Sequence, residues 1–199
     1  MAAVVLAAGR ARRFGGAKLL APLHGRPLVG HVLELVRRAR GAGVVTDARL
    51  VLAEADVAVA ALARAAGVDI VVNHDPDRGL SGSLRLGLAA LGTGPGAAVL
   101  LLGDQPLVRL DVLAELAAAW RERRGVIVRP RYAEAPGELG HPVVADRSVW
   151  PLAERLEGDA GFGALFPPGS AGLAVIEATG GNPDVDTPAD LHTLEGSSQ

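Results

Sequence analysis

Ala2-Ala3-Val4-Val5-Leu6-Ala7, followed by Ala8-Gly9-Arg10-Ala11-Arg12-Arg13-Phe14-Gly15-Gly16-Ala17-Lys18, is the stretch whose reading decides the fold. A short apolar run without charge reads as a buried strand. It empties into a loop that carries glycines at 9, 15 and 16 together with Arg10, Arg12, Arg13 and Lys18. Glycines let a backbone approach a ligand closely and offer it N–H groups, while arginine and lysine bring charge for phosphate oxygens. A nucleoside triphosphate suits such a loop; a solvated Gly-Arg turn is the plain alternative. No Gly-Lys-Ser/Thr follows, and the glycine spacing is not that of the dinucleotide fingerprint, so neither common phosphate motif applies.

Outward from this loop, strand-like and helix-like segments alternate. The spacing of Leu28, Val32, Leu35 and Val36 predicts a helix over 27–40 that stops at Gly41. Strands are expected at 48–52, 68–72, 97–102 and 126–128. Helices are expected over 56–66, from Ser81 or Ser83 through Leu91, and over 111–124. Such alternation predicts an α/β fold, a parallel sheet with helices on both faces, whose ligands sit at the carboxyl ends of the strands. Beyond 130 the pattern loosens: a loop over 131–140, a short strand over 141–145, one or two short helices within 147–166, a strand over 173–177, a last helical turn or two over 188–194, and a polar tail over 195–199. The chain reads as one domain, with a nucleotide-binding half over 1–128 and an acceptor-binding lobe over 129–194.

Composition narrows the function classes. The chain has 199 residues, enough for a substantial core, with 49% hydrophobic and 21% charged residues. A net charge of −2 argues against a general nucleic-acid binder. Cysteine is absent, which removes disulfides and thiolate metal sites and fits a cytoplasmic setting. No secretory signal and no apolar run long enough to span a bilayer are visible, so no membrane partner is expected. With 3% aromatic residues the core must be aliphatic.

Two aspartates stand where this architecture places chemistry. Asp104 follows the apolar run 97–102 and precedes Gln105-Pro106; Asp186 lies in Asp184-Val185-Asp186-Thr187-Pro188, just ahead of a helix. As structural residues they read as a turn former and a helix cap. As functional residues they would share one Mg²⁺, a hard cation that takes one or two carboxylates plus substrate phosphate oxygens. Phosphoryl-type chemistry on a nucleotide then needs only positioning and charge, with no side-chain nucleophile.

Leu6-Ala7-Ala8-Gly9, Arg13-Phe14-Gly15 and Lys18-Leu19-Leu20 together resemble the N-terminal signature of the MobA-like nucleotidyltransferases, and within them the molybdenum cofactor cytidylyltransferases. The likeness continues through Gly79-Leu80-Ser81-Gly82-Ser83, Leu102-Gly103-Asp104-Gln105-Pro106, Arg129-Pro130-Arg131-Tyr132, Gly140-His141-Pro142-Val143, Gly158-Asp159-Ala160-Gly161 and Asp184-Val185-Asp186-Thr187-Pro188. The resemblance implies a Rossmann-like nucleotidyltransferase that moves a nucleoside monophosphate from an NTP to a phosphorylated acceptor, here a molybdopterin cofactor, with release of pyrophosphate. It implies Leu6, Ala7, Ala8 and Gly9 against base and sugar, Arg13 and Lys18 on the triphosphate, and Asp104 and Asp186 on magnesium. Arg13, Lys18 and Asp104 would be the catalytic set. Ala7-Ala8-Gly9 resembles the Ala-Ala-Gly of the family's cytidylyltransferases, against Ala-Gly-Gly in its guanylyltransferases, and this resemblance implies CTP; an extra methyl in a base pocket, worth about 1–3 kcal/mol, would act in the same direction against a bulky purine.

Asn73, Ser81, Gly82 and Ser83 are further candidates for the nucleotide, although the serines also read as ordinary helix caps and Asn73 as a turn residue. His141 could face the acceptor, or be structural. Departures from the family pattern are Ala11 for Ser, Phe14 for Met, and Gly163 for an Arg of the acceptor lobe. A protein that matures molybdoenzymes would be a partner. The rival readings are transfer to another phosphorylated metabolite, and a non-catalytic nucleotide-binding partner in cofactor maturation.

Overall fold

The computed structural model describes residues 1–9, 13–54, 56–123 and 126–196. Arg10, Ala11 and Arg12 of the cationic loop, the expected helix end at 124 and the last three residues of the polar tail lie outside the described residues. In chain order the elements begin with β1 (Ala2–Ala7), a 3-10 turn at Lys18–Leu20, a hairpin of β2 (Pro22–Leu23) and β3 (Arg26–Pro27), then α1 (Leu28–Gly41) and β4 (Asp47–Ala53). They continue through α2 (Val57–Ala65), β5 (Asp69–Asn73), a 3-10 turn at Pro76–Arg78, α3 (Leu80–Ala89), β6 (Ala97–Leu102) and α4 (Leu110–Glu122). The last third holds β7 (Ile127–Tyr132), β8 (Val143–Asp146), a 3-10 stretch at Arg147–Arg155, α5 (Phe162–Leu165), β9 (Leu173–Ala178) and α6 (Pro188–Gly196).

β1 explains the layering. All six of its residues are buried, and successive side chains of a strand point to opposite faces. Ala3, Val5 and Ala7 join the cluster built with α1, α2 and α4. Ala2, Val4 and Leu6 join the cluster built with α3, the 3-10 stretch and Phe162 of α5. The seven-stranded sheet has the order β5-β4-β1-β6-β8-β7-β9. β1 pairs parallel with both β4 and β6, and β7 pairs parallel with β9. β8 is inserted antiparallel between β6 and β7, so the sheet is mostly but not wholly parallel. Apolar periodicity reports burial and not strand direction, which is why the reversal had no sequence signal.

Local differences have local causes. The 147–155 segment is 3-10 with Pro151 inside it, a residue without an N–H for an interior α-helical bond. Strand β7 runs on to Tyr132, past the expected end at 128, because Arg129 to Tyr132 pair with β9. The β2–β3 hairpin was not anticipated. Its Leu23, with Leu28 and Val185, forms a small third cluster against which Phe14 packs.

Parallel pairing brings the exits of β1 and β6 together. Leu6 is in register with Leu102, and the Gly103 N–H donates to the Leu6 carbonyl at 2.9 Å. A side chain at 103 would meet the Ala7 Cβ at 3.2 Å, so glycine lets the two exits lie against each other and delivers Asp104 beside the Gly9 loop.

Candidate nucleotide site

At that edge a cavity of about 620 Å³ opens. Its first wall is the exit of β1: Leu6, Ala7, Ala8 and Gly9, continuing to Arg13 and Lys18. Leu80 and Ser83 of α3 face them, and Asp104, Asp184 and Asp186 complete the rim.

The charged centre is Lys18, which is 6% exposed. Its Nζ lies 2.6 Å from Asp104 Oδ2 and 3.0 Å from Asp186 Oδ1. Arg13, largely in solvent, reaches the other Asp186 oxygen at 3.2 Å. Burial acts to lower the Lys18 pKa, but hydrogen bonds and charge from Asp104 and Asp186 outweigh it and hold the ammonium above the usual lysine value. Two acids far apart in sequence thus share one cation as a hydrogen-bonded partner.

Asp186 is free for this contact because capping falls to its neighbours. The Asp186 and Thr187 N–H groups donate to Asp190 Oδ2 at 2.9 and 2.7 Å, and the Asp190 N–H donates to Thr187 Oγ1 at 3.2 Å. This reciprocal pair is a capping box for α6, with Thr187 as the cap. The expected alternative, Asp186 as the cap, does not hold. Val185, fully buried, anchors the turn between the two acids.

Ser81 and Ser83 do not cap α3 either. Gly79 holds the cap position, with no side-chain cap bond. The first N–H groups are satisfied from elsewhere: Leu80 N–H by Asp159 Oδ1 at 3.3 Å and Ser81 N–H by the Gly158 carbonyl at 2.9 Å. These groups are therefore taken and not presented to a ligand. Ser83 instead accepts from Asn73 Nδ2 at 3.0 Å, deep inside the protein. Asn73 lines an adjoining cavity of about 470 Å³ that shares Ala8, Gly9, Lys18, Leu19 and Pro76 with the first. Ser81, Gly82 and His141 lie outside both linings.

His141 sits between other elements. Its carbonyl accepts from the Tyr132 hydroxyl at 2.9 Å and from Asn182 Nδ2 at 3.3 Å. Burial, with the nearby Arg129 charge, pushes the imidazole down to about 4, so the ring is neutral near pH 7. Arg129 also answers the departure at Gly163. A Cβ on Gly163 would come within 2.6 Å of an Arg129 terminal nitrogen; the guanidinium from β7 occupies the room beside that glycine.

A polar network not anticipated from sequence holds the rim. Gln105 Nε2 donates to Asp184 Oδ1 at 2.6 Å, and Gln105 Oε1 accepts from Asn182 Nδ2 at 3.0 Å. The Val185 N–H donates to the Asp104 carbonyl at 3.3 Å. Burial raises the Asp184 pKa; the Gln105 hydrogen bond opposes this and the charges of Asp104 and Asp186 add to it. Among the described residues no group of three or more His, Cys, Asp or Glu is placed to hold a metal ion. A cation here would have two carboxylates and would need further oxygens from a ligand.

Residues 3–171 match the family model of the MobA-like NTP transferase domain. The chain belongs to this family. The MobA-like chain is 35% identical to nicotine blue oxidoreductase of Paenarthrobacter nicotinovorans over 162 residues, 79% of this chain and 77% of that protein. It is 33% identical to 3-deoxy-manno-octulosonate cytidylyltransferase of Anaeromyxobacter dehalogenans (strain 2CP-C) over 171 residues, 84% of this chain and 64% of the relative. Among solved structures, Rv0371c of Mycobacterium tuberculosis H37Rv in complex with manganese superposes with a TM-score of 0.82 at 32% identity, covering 98% of both chains. The MobA-like chain spans about a quarter of the length of the bifunctional GlmU proteins that it also matches. Its fold is the Rossmann-like nucleotidyltransferase fold. Among the described residues no helix is long and apolar enough to cross a membrane.

Proposed function

We propose that this protein transfers a nucleoside monophosphate, CMP from CTP, onto a phosphorylated small molecule of the molybdopterin type and releases pyrophosphate. The observation that carries this reading is the convergence of Lys18, Asp104 and Asp186 on the wall of the cavity beneath Ala8 and Gly9. Family membership supports the reaction class, and Ala7-Ala8-Gly9 supports the pyrimidine base.

The donor chemistry fits a divalent cation. Two carboxylates meet at one cationic centre, and hard cations such as Mg²⁺ and Mn²⁺ prefer such oxygens, completed by phosphate and water. Asp104 and Asp186 would hold the ion, which when bound neutralises phosphate charge and makes the α-phosphorus more electrophilic. Arg13 and Lys18 bind the β- and γ-phosphates and stabilise the charge that develops on them. An acceptor phosphate oxygen forms a bond to the α-phosphorus, the bond to the β-phosphate breaks, and pyrophosphate leaves. Leu6 to Gly9 seat the nucleoside, with Ser83 on the opposite wall, and Asn73 holds Ser83 in place. Ser81 and Gly82 act behind it as packing. The lobe over 129–194 receives the acceptor, with the Arg129 cation near His141 and Gly163.

Purified protein with Mg²⁺, each NTP in turn and a panel of phosphorylated acceptors, read out as pyrophosphate release, tests this reading. Release with CTP and molybdopterin is the expected result. Release only with a sugar or polyol phosphate moves the acceptor to another metabolite. Tight NTP binding with no release for any acceptor replaces the enzyme with a nucleotide-binding partner.

A further inference from the structure

The position between Asp104 and Asp186 is taken by a group of the protein itself. Lys18 Nζ makes a hydrogen-bonded ion pair with each acid. The ammonium is the deepest of the three charges: the Lys18 side chain is 7% exposed, against 26% for Asp104 and 38% for Asp186. Arg13 closes on the outer oxygen of Asp186. Lys18 and Arg13 between them pair both acids, so a free divalent ion approaching Asp104 and Asp186 finds carboxylates that already have cationic partners.

We infer that Lys18 is an internal counter-ion that makes metal binding at Asp104 and Asp186 conditional on the triphosphate. The inference rests on the functional reading given above. A charge-assisted hydrogen bond is short and strong, and a cation must break two of them to enter. A polyanionic triphosphate offers Lys18 and Arg13 new partners. When both turn to phosphate oxygens, the two acids are uncovered and the centre becomes doubly negative, suited to a divalent ion. The coupling is reciprocal, as linkage requires: whatever the nucleotide adds to metal affinity, the metal adds to nucleotide affinity. Lys18 thus has two tasks, partner of the acids before nucleotide arrives and partner of phosphate afterwards.

The test is titration of nucleotide-free protein with Mn²⁺, followed by calorimetry and by electron paramagnetic resonance of the free ion. Lys18→Met removes the ammonium and leaves both acids; it is expected to bind Mn²⁺ about tenfold or more tightly than wild type, on the scale of one charged hydrogen bond. Lys18→Gln, which keeps a polar group at the position, serves if the methionine variant does not fold, and is expected to shift in the same direction. Adding Asp104→Ala to either variant should abolish the gain. Affinity in the folded Lys18 variants equal to or below wild type would overturn the inference, and so would a gain that survives loss of Asp104. The transfer reading fails separately. If pyrophosphate release is observed and the variants show no gain, only the counter-ion role falls; if the gain appears and no NTP is turned over, the paired acids remain a cation site without the transfer reaction.

Discussion

Gly79→Ala is the perturbation that most directly probes how the cavity wall is held. Gly79 has φ 77° and ψ −165°, a backbone region that is essentially glycine's own. A Cβ there would lie 2.5 Å from the Gly158 carbonyl carbon, 2.6 Å from its oxygen and 2.7 Å from Asp159 Oδ1. The first two are backbone atoms and cannot rotate away. Backbone strain of this kind costs about 1–3 kcal/mol. Relieving the overlap means moving the 158–159 loop off α3, which endangers the bonds that satisfy the Leu80 and Ser81 N–H groups, each contributing about 0.5–1.5 kcal/mol. The expected loss is about 2–6 kcal/mol, which in a chain of this size lowers Tm by roughly 4–24 °C. Urea unfolding followed by circular dichroism measures it directly. Gly43→Ala is the control. Gly43 also has positive φ, 69°, and it ends α1 with the Gly43 and Val44 N–H groups returning to the Arg40 and Ala39 carbonyls, but nothing lies within 4 Å of its added Cβ. It should cost only about 1–2 kcal/mol, the left-handed backbone penalty alone. If Gly79→Ala is no worse than Gly43→Ala, the 158–159 loop does not brace α3 as described. Because Leu80 and Asp159 both line the cavity, Gly79→Ala should also weaken NTP binding, and Gly43→Ala should not.

Three other outcomes follow from the same geometry. Asp104→Ala should lower the thermal unfolding midpoint only modestly, because the buried Lys18 ammonium keeps Asp186 as a partner, while lowering pyrophosphate release by about 10²-fold or more; unchanged turnover in Mg²⁺ would remove Asp104 from the metal. Gln105→Leu should destabilise by about 1 kcal/mol in urea unfolding, because it removes the buried amide that bonds the exposed Asp184 carboxylate and the half-buried Asn182 amide; a neutral result would mean that water replaces the glutamine. His141 is held neutral with a folded pKa of about 4, below the unfolded value near 6.5. Its contribution is complete above pH 6.5 and is lost as pH falls toward 4, since only the unfolded chain takes up the proton in that window, up to about 3 kcal/mol. Urea midpoints between pH 4 and 7 should therefore fall less steeply for His141→Asn than for wild type; parallel slopes would contradict the buried, neutral ring.

What could be read in the sequence was what local pattern encodes. An uncharged apolar run ending in Gly9 fixes a two-sided buried strand and its exit, and the same reasoning applied to 97–102 gives Asp104 at a strand end. Asp186 was legible as a candidate, because an acid ahead of a helix start either caps it or is spare. Which of the two applies depends on Asp190, whose carboxylate takes the Asp186 and Thr187 N–H groups. The misreading of Ser81 and Ser83 has the opposite cause. Both are good caps by type, but the cap was supplied by Gly158 and Asp159, far along the chain, and no local rule reports that. Gln105 and Asn182 escaped for the same reason: a glutamine before a proline looks like turn material until the fold sets Asp184 beside it. The direction of β8 and the β2–β3 hairpin escaped because burial patterns carry neither strand direction nor a turn around His24-Gly25.

The three charged groups at the centre are delivered by three unrelated devices. Asp104 follows a buried strand whose register with β1 is fixed by pairing. Asp186 follows the buried Val185 and precedes a capping box. Lys18 opens a 3-10 turn whose Ala21 carbonyl accepts from Leu28 at the head of α1. None of these devices depends on the charges themselves, so the scaffold would bring two carboxylates together even without Lys18. Like charges so placed repel and are costly when partly buried. Lys18 offsets that repulsion, and removing either acid alone would leave its buried ammonium with one partner fewer, so the cost is relieved only by losing the whole charged cluster, which the surrounding packing does not require. That the acids stand together, on rigid elements and at the mouth of a cavity, is a reason to assign them to a ligand and not to the fold.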